Sequence, residues 1–212
     1  MKNEPAPLRR SLERSISPLL ALLLVTAFSV TARGETAAPS ETVDRLHASL
    51  VEVMKSADSL KFSGRRERLS PVITGSFDFP FIAKIVLGRY WDDLSDSDKA
   101  RMIETFTELT VATYASRFDG YSGENFRQAE VQPMNRGRML VRTELDRPGK
   151  EPVRLDYVLQ EEGGKWLIVN VVANGVSDLS LKRADYGSIM KSEGFESLII
   201  RLRSQISELG GG

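Results

Sequence analysis

The sequence predicts an α+β fold, and three observations carry that prediction. Apolar residues recur at three- and four-residue steps as far as Phe118, the period falls to two between Phe126 and Asn174, and the helical period returns from Leu181 to Leu209. Turn residues interrupt the strand segment at Arg147-Pro148-Gly149-Lys150 and around Gly163-Gly164, so consecutive strands are expected to pair antiparallel as a meander. The expected body is one domain over residues 42–209, with helices in 42–118, the sheet in 126–174 and helices in 181–209.

The N-terminus reads differently. Lys2, Arg9, Arg10 and Arg14 make a basic start, and Leu19 to Val30 is an apolar run with Ala-Leu-Leu-Leu-Val at its centre. The run is short of the roughly 20 apolar residues that span a bilayer, so residues 1–32 are expected to be a secretory signal peptide. Val30-Thr31-Ala32 places cleavage after Ala32, with Gly34 as a nearby alternative. Residues 33–41 are a polar linker. The precursor carries 29 basic and 29 acidic residues; removing 1–32 leaves 25 against 27, a mildly acidic exported protein expected in the periplasm.

Val43, Leu46, His47, Leu50, Val53, Met54 and Ala57 mark the first amphipathic helix, starting near Ser40 or Thr42. His47 falls on its apolar side. With no second histidine and no cysteine in the chain, it reads as a core-edge imidazole holding one hydrogen bond. Phe77 to Trp91 is dense in aromatic and branched residues. Phe79 precedes Pro80 and is expected extended, Pro80 suits a first helical turn and Gly88 a helix end, which predicts a short buried helix from about Phe81 to Leu87. Ser95 to Asp98 is a capping pattern opening a helix to about Phe118, with Met102, Phe106, Leu109, Thr113, Tyr114 and Phe118 on one side.

In the sheet, Met139, Val141, Thr143 and Leu145 alternate with Leu140, Arg142, Glu144 and Asp146, and Val153, Leu155, Tyr157 and Leu159 with Arg154, Asp156, Val158 and Gln160; Trp166 to Ala173 is nearly continuously apolar, like a strand covered on both faces. Leu181, Ala184, Ile189 and Met190 are expected to share a helix ending near Gly194. Phe195, Leu198, Ile199, Leu202, Ile206 and Leu209 form the stripe of the last helix, before a Gly210-Gly211-Gly212 end.

Composition excludes several chemistries. Zero cysteines exclude disulfides, thiolate catalysis and iron–sulfur clusters, and one histidine excludes any site that needs two imidazoles. The chain has no HExxH, no phosphate-binding GxxxxGK[ST] and no Gly-x-Ser-x-Gly, and its charge balance gives no nucleic-acid footprint. No cofactor or metal is called for. Asp78, Asp92, Asp93, Asp96 and Asp98 cluster at turns and a helix start, where carboxylates cap backbone, and Arg154 with Asp156 reads as an ion pair on a polar strand face. The helices exceed what a small sheet needs. They make either a solid core or an apolar cavity over the sheet, and composition does not separate the two.

The order of these elements resembles the periplasmic lipid-binding MlaC or toluene-tolerance proteins. The resemblance rests on Val86-Leu87-Gly88-Arg89-Tyr90-Trp91, the Phe106-centred helix, Pro152-Val153-Arg154-Leu155-Asp156-Tyr157, and Gly175-Val176-Ser177 leading into the Tyr186-Gly187 helix. The stretch Thr110 to Glu124 is closest to the hopanoid-associated HpnM branch, while Asn174 stands where the phospholipid carriers tend to have an acid. The resemblance implies a twisted antiparallel sheet of the NTF2-like type, backed by helices that enclose an apolar pocket. It also implies a monomeric, non-enzymatic carrier of hopanoid or phospholipid between inner-membrane and outer-membrane complexes. The expected lining is Phe81 and Ile85 from the short helix, and Phe106, Leu109 and Tyr114 from the long one. Val141, Val153, Leu155, Tyr157, Val169 and Val171 complete it from the sheet. The alternatives are an NTF2-like enzyme working on an envelope lipid through Asp or Glu acid–base chemistry, and a pocketless adaptor of an envelope complex.

Overall fold

The computed structural model describes residues 38–210. The expected signal peptide, the expected cleavage site and the first residues of the expected linker lie outside the described residues. Helix α1 (Pro39–Lys55) starts within the expected linker, because Pro39 sits in its first turn, where a missing N–H costs nothing. It buries Val43, Leu46, His47, Leu50, Val53 and Met54, the expected stripe. Helix α2 (Ala57–Ser76) follows after Ser56 and is the element that hydrophobic periodicity does not pick out. It contains Gly64, Pro71 and Gly75 and buries only Ala57, Leu69, Ile73 and Ser76; Lys61, at φ 54° and ψ −173°, breaks its first turn from the rest.

Helix α3 (Phe79–Leu87) is capped by Asp78, whose carboxylate accepts from the Phe81 N–H at 3.0 Å, and it ends at Gly88 with φ 55°. It starts two residues before the expected Phe81. Helix α4 (Asp96–Arg117) is capped by Ser95, which accepts from the Asp98 N–H at 3.1 Å. Both caps place acidic residues where the sequence pattern puts them.

The sheet has five strands in the order β1-β2-β3-β4-β5, every neighbour antiparallel: β1 (Asn125–Pro133), β2 (Met139–Arg147), β3 (Lys150–Glu162), β4 (Lys165–Ala173) and the two-residue β5 (Val176–Ser177). Register puts Val141, Tyr157 and Val171 in one row across β2, β3 and β4, with Thr143, Leu155 and Ala173 in the next, on the face toward α1. The opposite residues carry ion pairs: Arg142 with Glu130 at 2.6 Å, and Arg154 with Asp156 at 3.4 Å, as expected for that strand. Between Val158 and Leu159 the register slips, leaving Val169 as the extra residue of a bulge on β4. Asn174 turns β4 into β5 at φ 49°, and its side chain accepts from the Arg154 N–H at 2.9 Å. Asparagine tolerates that left-handed conformation, which gives this residue a structural reason.

Helix α5 (Asp178–Ser192) is capped by Ser177, and Asn170 on β4 accepts from the Leu179 N–H at 3.2 Å. That anchor sets the helix phase. Tyr186 and Ile189 are buried and Leu179 packs on the core, whereas Leu181 is 59% exposed and Ala184 is exposed, so the expected α5 stripe is corrected. Helix α6 (Gly194–Gly210) buries Leu198, Ile199 and Leu202, with Phe195, Ile206 and Leu209 packed beside them, the stripe the sequence predicts. Helix α4 packs between α2 and α6, and the core joins all six helices to the inner face of β2–β4.

Candidate functional site

The eleven expected lining residues divide in two. Phe106, Leu109, Val141 and Tyr157 are buried in the main core, and Tyr114, Leu155 and Val171 are half-buried against it. The other four stand outside that cluster. Phe81 lies under the Arg138 guanidinium at 5.2 Å, Ile85 and Val153 are half-buried at the periphery, and Val169 is buried at the β4 bulge.

The first group gives the candidate cleft. Leu155 and Val171 are diagonal neighbours on the inner face of β3 and β4, and three elements converge toward them: the C-terminal end of α4 with Tyr114 and Phe118, the start of β1 with Phe126, and the start of α5 with Leu179. All six are half-buried and packed against core residues. A chain of rings runs along one wall: Phe77 to Tyr114 at 6.0 Å, Tyr114 stacked on Phe118 at 5.7 Å, Phe118 to Phe126 at 6.3 Å, and Phe126 stacked on His47 at 3.8 Å. Phe118, Phe126 and Leu179 are absent from the expected lining. Phe118 shares the Tyr114 side of α4 at a four-residue step; Phe126 and Leu179 stand at element starts, where period gives no face.

Polar groups at this cleft are few. His47 Nε2 and the Tyr157 hydroxyl are hydrogen-bonded at 2.9 Å in a buried contact, which is the single bond expected of that histidine. Burial pushes the imidazole down to about 4 and raises the Tyr157 hydroxyl well above the usual phenol range. Tyr114 and Tyr186 are also raised, first by burial and then by the nearby Asp178 carboxylate, with Arg117 partly offsetting it at Tyr114. Asp178 is itself paired with Lys182 at 2.6 Å.

Two surface grooves are also present, the second sharing His47 and Phe126 with the candidate cleft. One, of about 650 Å³, runs between α2 and α4 past Phe62, Arg66, Thr107 and Glu108; the other, of about 420 Å³, separates α1 from β1 beside Asp44, His47 and Phe126. None of the eleven expected residues lines either groove. The Asp44 carboxyl is raised by partial burial and by Glu41, but it stands on the exposed wall of the second groove. Among the described residues no group of three His, Asp or Glu side chains is placed to hold a metal ion.

With the elements and cleft in this order, the MlaC protein family model matches residues 44–204, from the first turns of α1 into α6. The chain belongs to the MlaC family. A curated member, the intermembrane phospholipid transport system binding protein MlaC of Haemophilus influenzae, is 24% identical over 127 residues, 58% of this chain. The match spans 59% of that relative's length. Among solved structures, a phospholipid-binding protein from Ralstonia solanacearum in complex with a phospholipid superposes with a TM-score of 0.72 at 18% identity. The superposition covers 82% of this chain and 99% of that one. The MlaC fold, helices packed against an open twisted antiparallel sheet, is therefore the fold of this chain.

Proposed function

We propose that this MlaC-family chain is an exported lipid carrier that holds a phospholipid or hopanoid in the cleft between α4, α5 and the inner face of β3–β4. It would move that lipid across the periplasm between membrane complexes, as a monomer and without chemistry on its cargo. The observation that carries the reading is membership of the MlaC family, with Tyr114, Phe118, Phe126, Leu155, Val171 and Leu179 as half-buried apolar side chains packed against the core. The names of the two relatives support the class of ligand.

Transfer free energy explains why a carrier of this shape is needed. Each buried CH₂ is worth about 0.8 kcal/mol, so two acyl chains of about 16 carbons cost on the order of 25 kcal/mol to expose to water. A protein that replaces that contact with apolar side chains removes most of the barrier, and a rigid polycyclic hopanoid meets the same arithmetic. The acid–base enzyme alternative needs a shielded carboxylate at the ligand; the carboxyl that is raised, Asp44, faces solvent beside α1, and the buried Asp156 lies on the sheet face opposite Leu155 and Tyr157, paired with Arg154. The test is to express the full chain, purify the product from the periplasmic fraction, extract it with organic solvent and analyse the extract by mass spectrometry. Reproducible co-purified phospholipid or hopanoid, with a protein N-terminus just after Ala32, is the expected result. A lipid-free protein retained in the cytoplasm would remove the proposal.

A further inference from the structure

The groove between α1 and β1 has an aromatic floor and two polar walls. The floor is the His47 ring stacked on Phe126 at 3.8 Å; His47 is 6% exposed, and its Nε2 is taken by the Tyr157 hydroxyl. The α1 wall carries Asp44 and the facing β1 wall carries Asn125 and Gln128, all three exposed. Among the described residues none of these three side chains makes a hydrogen bond, and Asp44 has no ion pair; Arg45 beside it donates instead to Thr42 at 3.3 Å. No lysine or arginine lines the groove, and Glu41, one turn earlier on α1, adds like charge to Asp44.

A carboxylate and two amides facing each other across an aromatic floor offer acceptors on both sides of the groove, with no cation in the protein to occupy them. That set fits a compact cation with several N–H bonds. The groove holds about 420 Å³, which at roughly 30 Å³ per water-sized group admits a polar head of about a dozen such groups and not two acyl chains of about 16 carbons. We propose that the α1–β1 groove is a binding site for a primary ammonium group, whose N–H bonds are accepted by the Asp44 carboxylate and by the Asn125 and Gln128 amide oxygens. The groove shares His47 and Phe126 with the candidate cleft, so a lipid with its chains in the cleft would bring its head past Phe126 to Asp44. The lipid source of the ammonium rests on the carrier reading above and names the head such a carrier selects; a small soluble amine offers the same chemistry without it.

Two measurements separate those sources. In the first, phosphatidylethanolamine and phosphatidylcholine with the same chains each compete with a fluorescent lipid for the purified, delipidated protein. Both heads are zwitterions, and only ethanolamine carries N–H donors. The wild type should prefer the ethanolamine head by about fivefold, and Asp44→Asn should bring that preference within about twofold. Glu104→Gln, which removes a carboxylate from the exposed side of α4, should retain it. Because Asp44 is exposed and unpaired among the described residues, Asp44→Asn should melt at the wild-type temperature. In the second, ethanolamine phosphate is titrated into isotope-labelled protein while the side-chain amide signals of Asn125 and Gln128 are followed by NMR. A lipid preference lost in Asp44→Asn assigns the groove to the lipid head. Saturable shifts that Asp44→Asn abolishes, with no lipid preference, assign it to a soluble amine. A preference or shifts that survive Asp44→Asn, or neither response in the wild type, would overturn the site while leaving lipid binding itself standing. A wild type that binds neither lipid would remove the carrier reading, and the groove would then stand or fall on the NMR titration alone.

Discussion

His47 shows how one side chain ties an element to the sheet and makes stability depend on pH. Its ring is stacked on Phe126 and hydrogen-bonded to Tyr157, so α1 is fastened to β1 and β3 through a single neutral imidazole. Burial lowers its pKa from 6.5 to about 4, so between those values the unfolded chain takes up a proton that the folded chain refuses. Stability contributed by the neutral ring is therefore complete above pH 6.5 and falls with pH, by about 3 kcal/mol at pH 4. Urea denaturation at a series of pH values should show that extra slope in the wild type and not in His47→Gln, which cannot titrate. Equal slopes would mean that His47 is not shielded. The apolar side of α1 and the lack of a second ligand made this histidine readable in the sequence as a core residue. Its partner was not readable, because Tyr157 is 110 positions away and only the β3 register brings it there. Asp78 was legible for the same reason that a cap is local. Replacing Asp78 by Ala should cost about 1–2 kcal/mol, since the carboxylate also accepts from the Gln160 amide at 2.9 Å. A change within a few tenths of a kcal/mol in thermal or urea unfolding would contradict that role.

At the scale of elements, the legible ones are those whose burial is periodic and whose ends are marked. Helices α1, α3, α4 and α6 carry stripes or caps, and the β2–β4 meander carries alternation and glycine turns. Helix α2 fails on both counts, because Pro71 and two glycines dilute its propensity and four buried residues over twenty positions make no stripe. Helix α5 was found in the sequence with Ile189 and Met190 inward as expected, but Leu181 and Ala184 face out. Its direction is set by the Asn170 and Ser177 hydrogen bonds at its start, which turn Leu179 in and Leu181 out. The backbone of Lys61 offers a test at this scale. Its φ of 54° with ψ near −173° lies where glycine is at ease and other residues are strained. Lys61→Gly should raise the urea midpoint, by about 1 kcal/mol at constant m, and Lys61→Val should lower it. A destabilised Lys61→Gly would show that the turn between the two parts of α2 is not strained.

For the whole molecule, the proposed site draws on several segments, none of which announces it alone. Tyr114, Leu155 and Val171 come from α4, β3 and β4 and were each recognisable as apolar, inward-facing positions. Phe81, Ile85, Val153 and Val169 look the same in sequence, and three-dimensional placement separates them, Val169 through a bulge that the alternating pattern does not reveal. Filling the cleft should therefore act on binding before stability. Leu155→Trp is expected to lower co-purified lipid severalfold with an unchanged circular dichroism spectrum, and an unchanged lipid content would take Leu155 out of the site. The central claim, that lipid lies between α4, α5 and the inner sheet face, is tested most directly by photocrosslinking the purified protein with a phospholipid or triterpenoid that carries a diazirine in its apolar part, then mapping the modified residues by peptide mass spectrometry. The account predicts label on the peptides of Tyr114–Phe118, Leu155–Tyr157 and Val171. Label confined to the α2–α4 groove around Phe62 or the α1–β1 groove around Asp44 would contradict it.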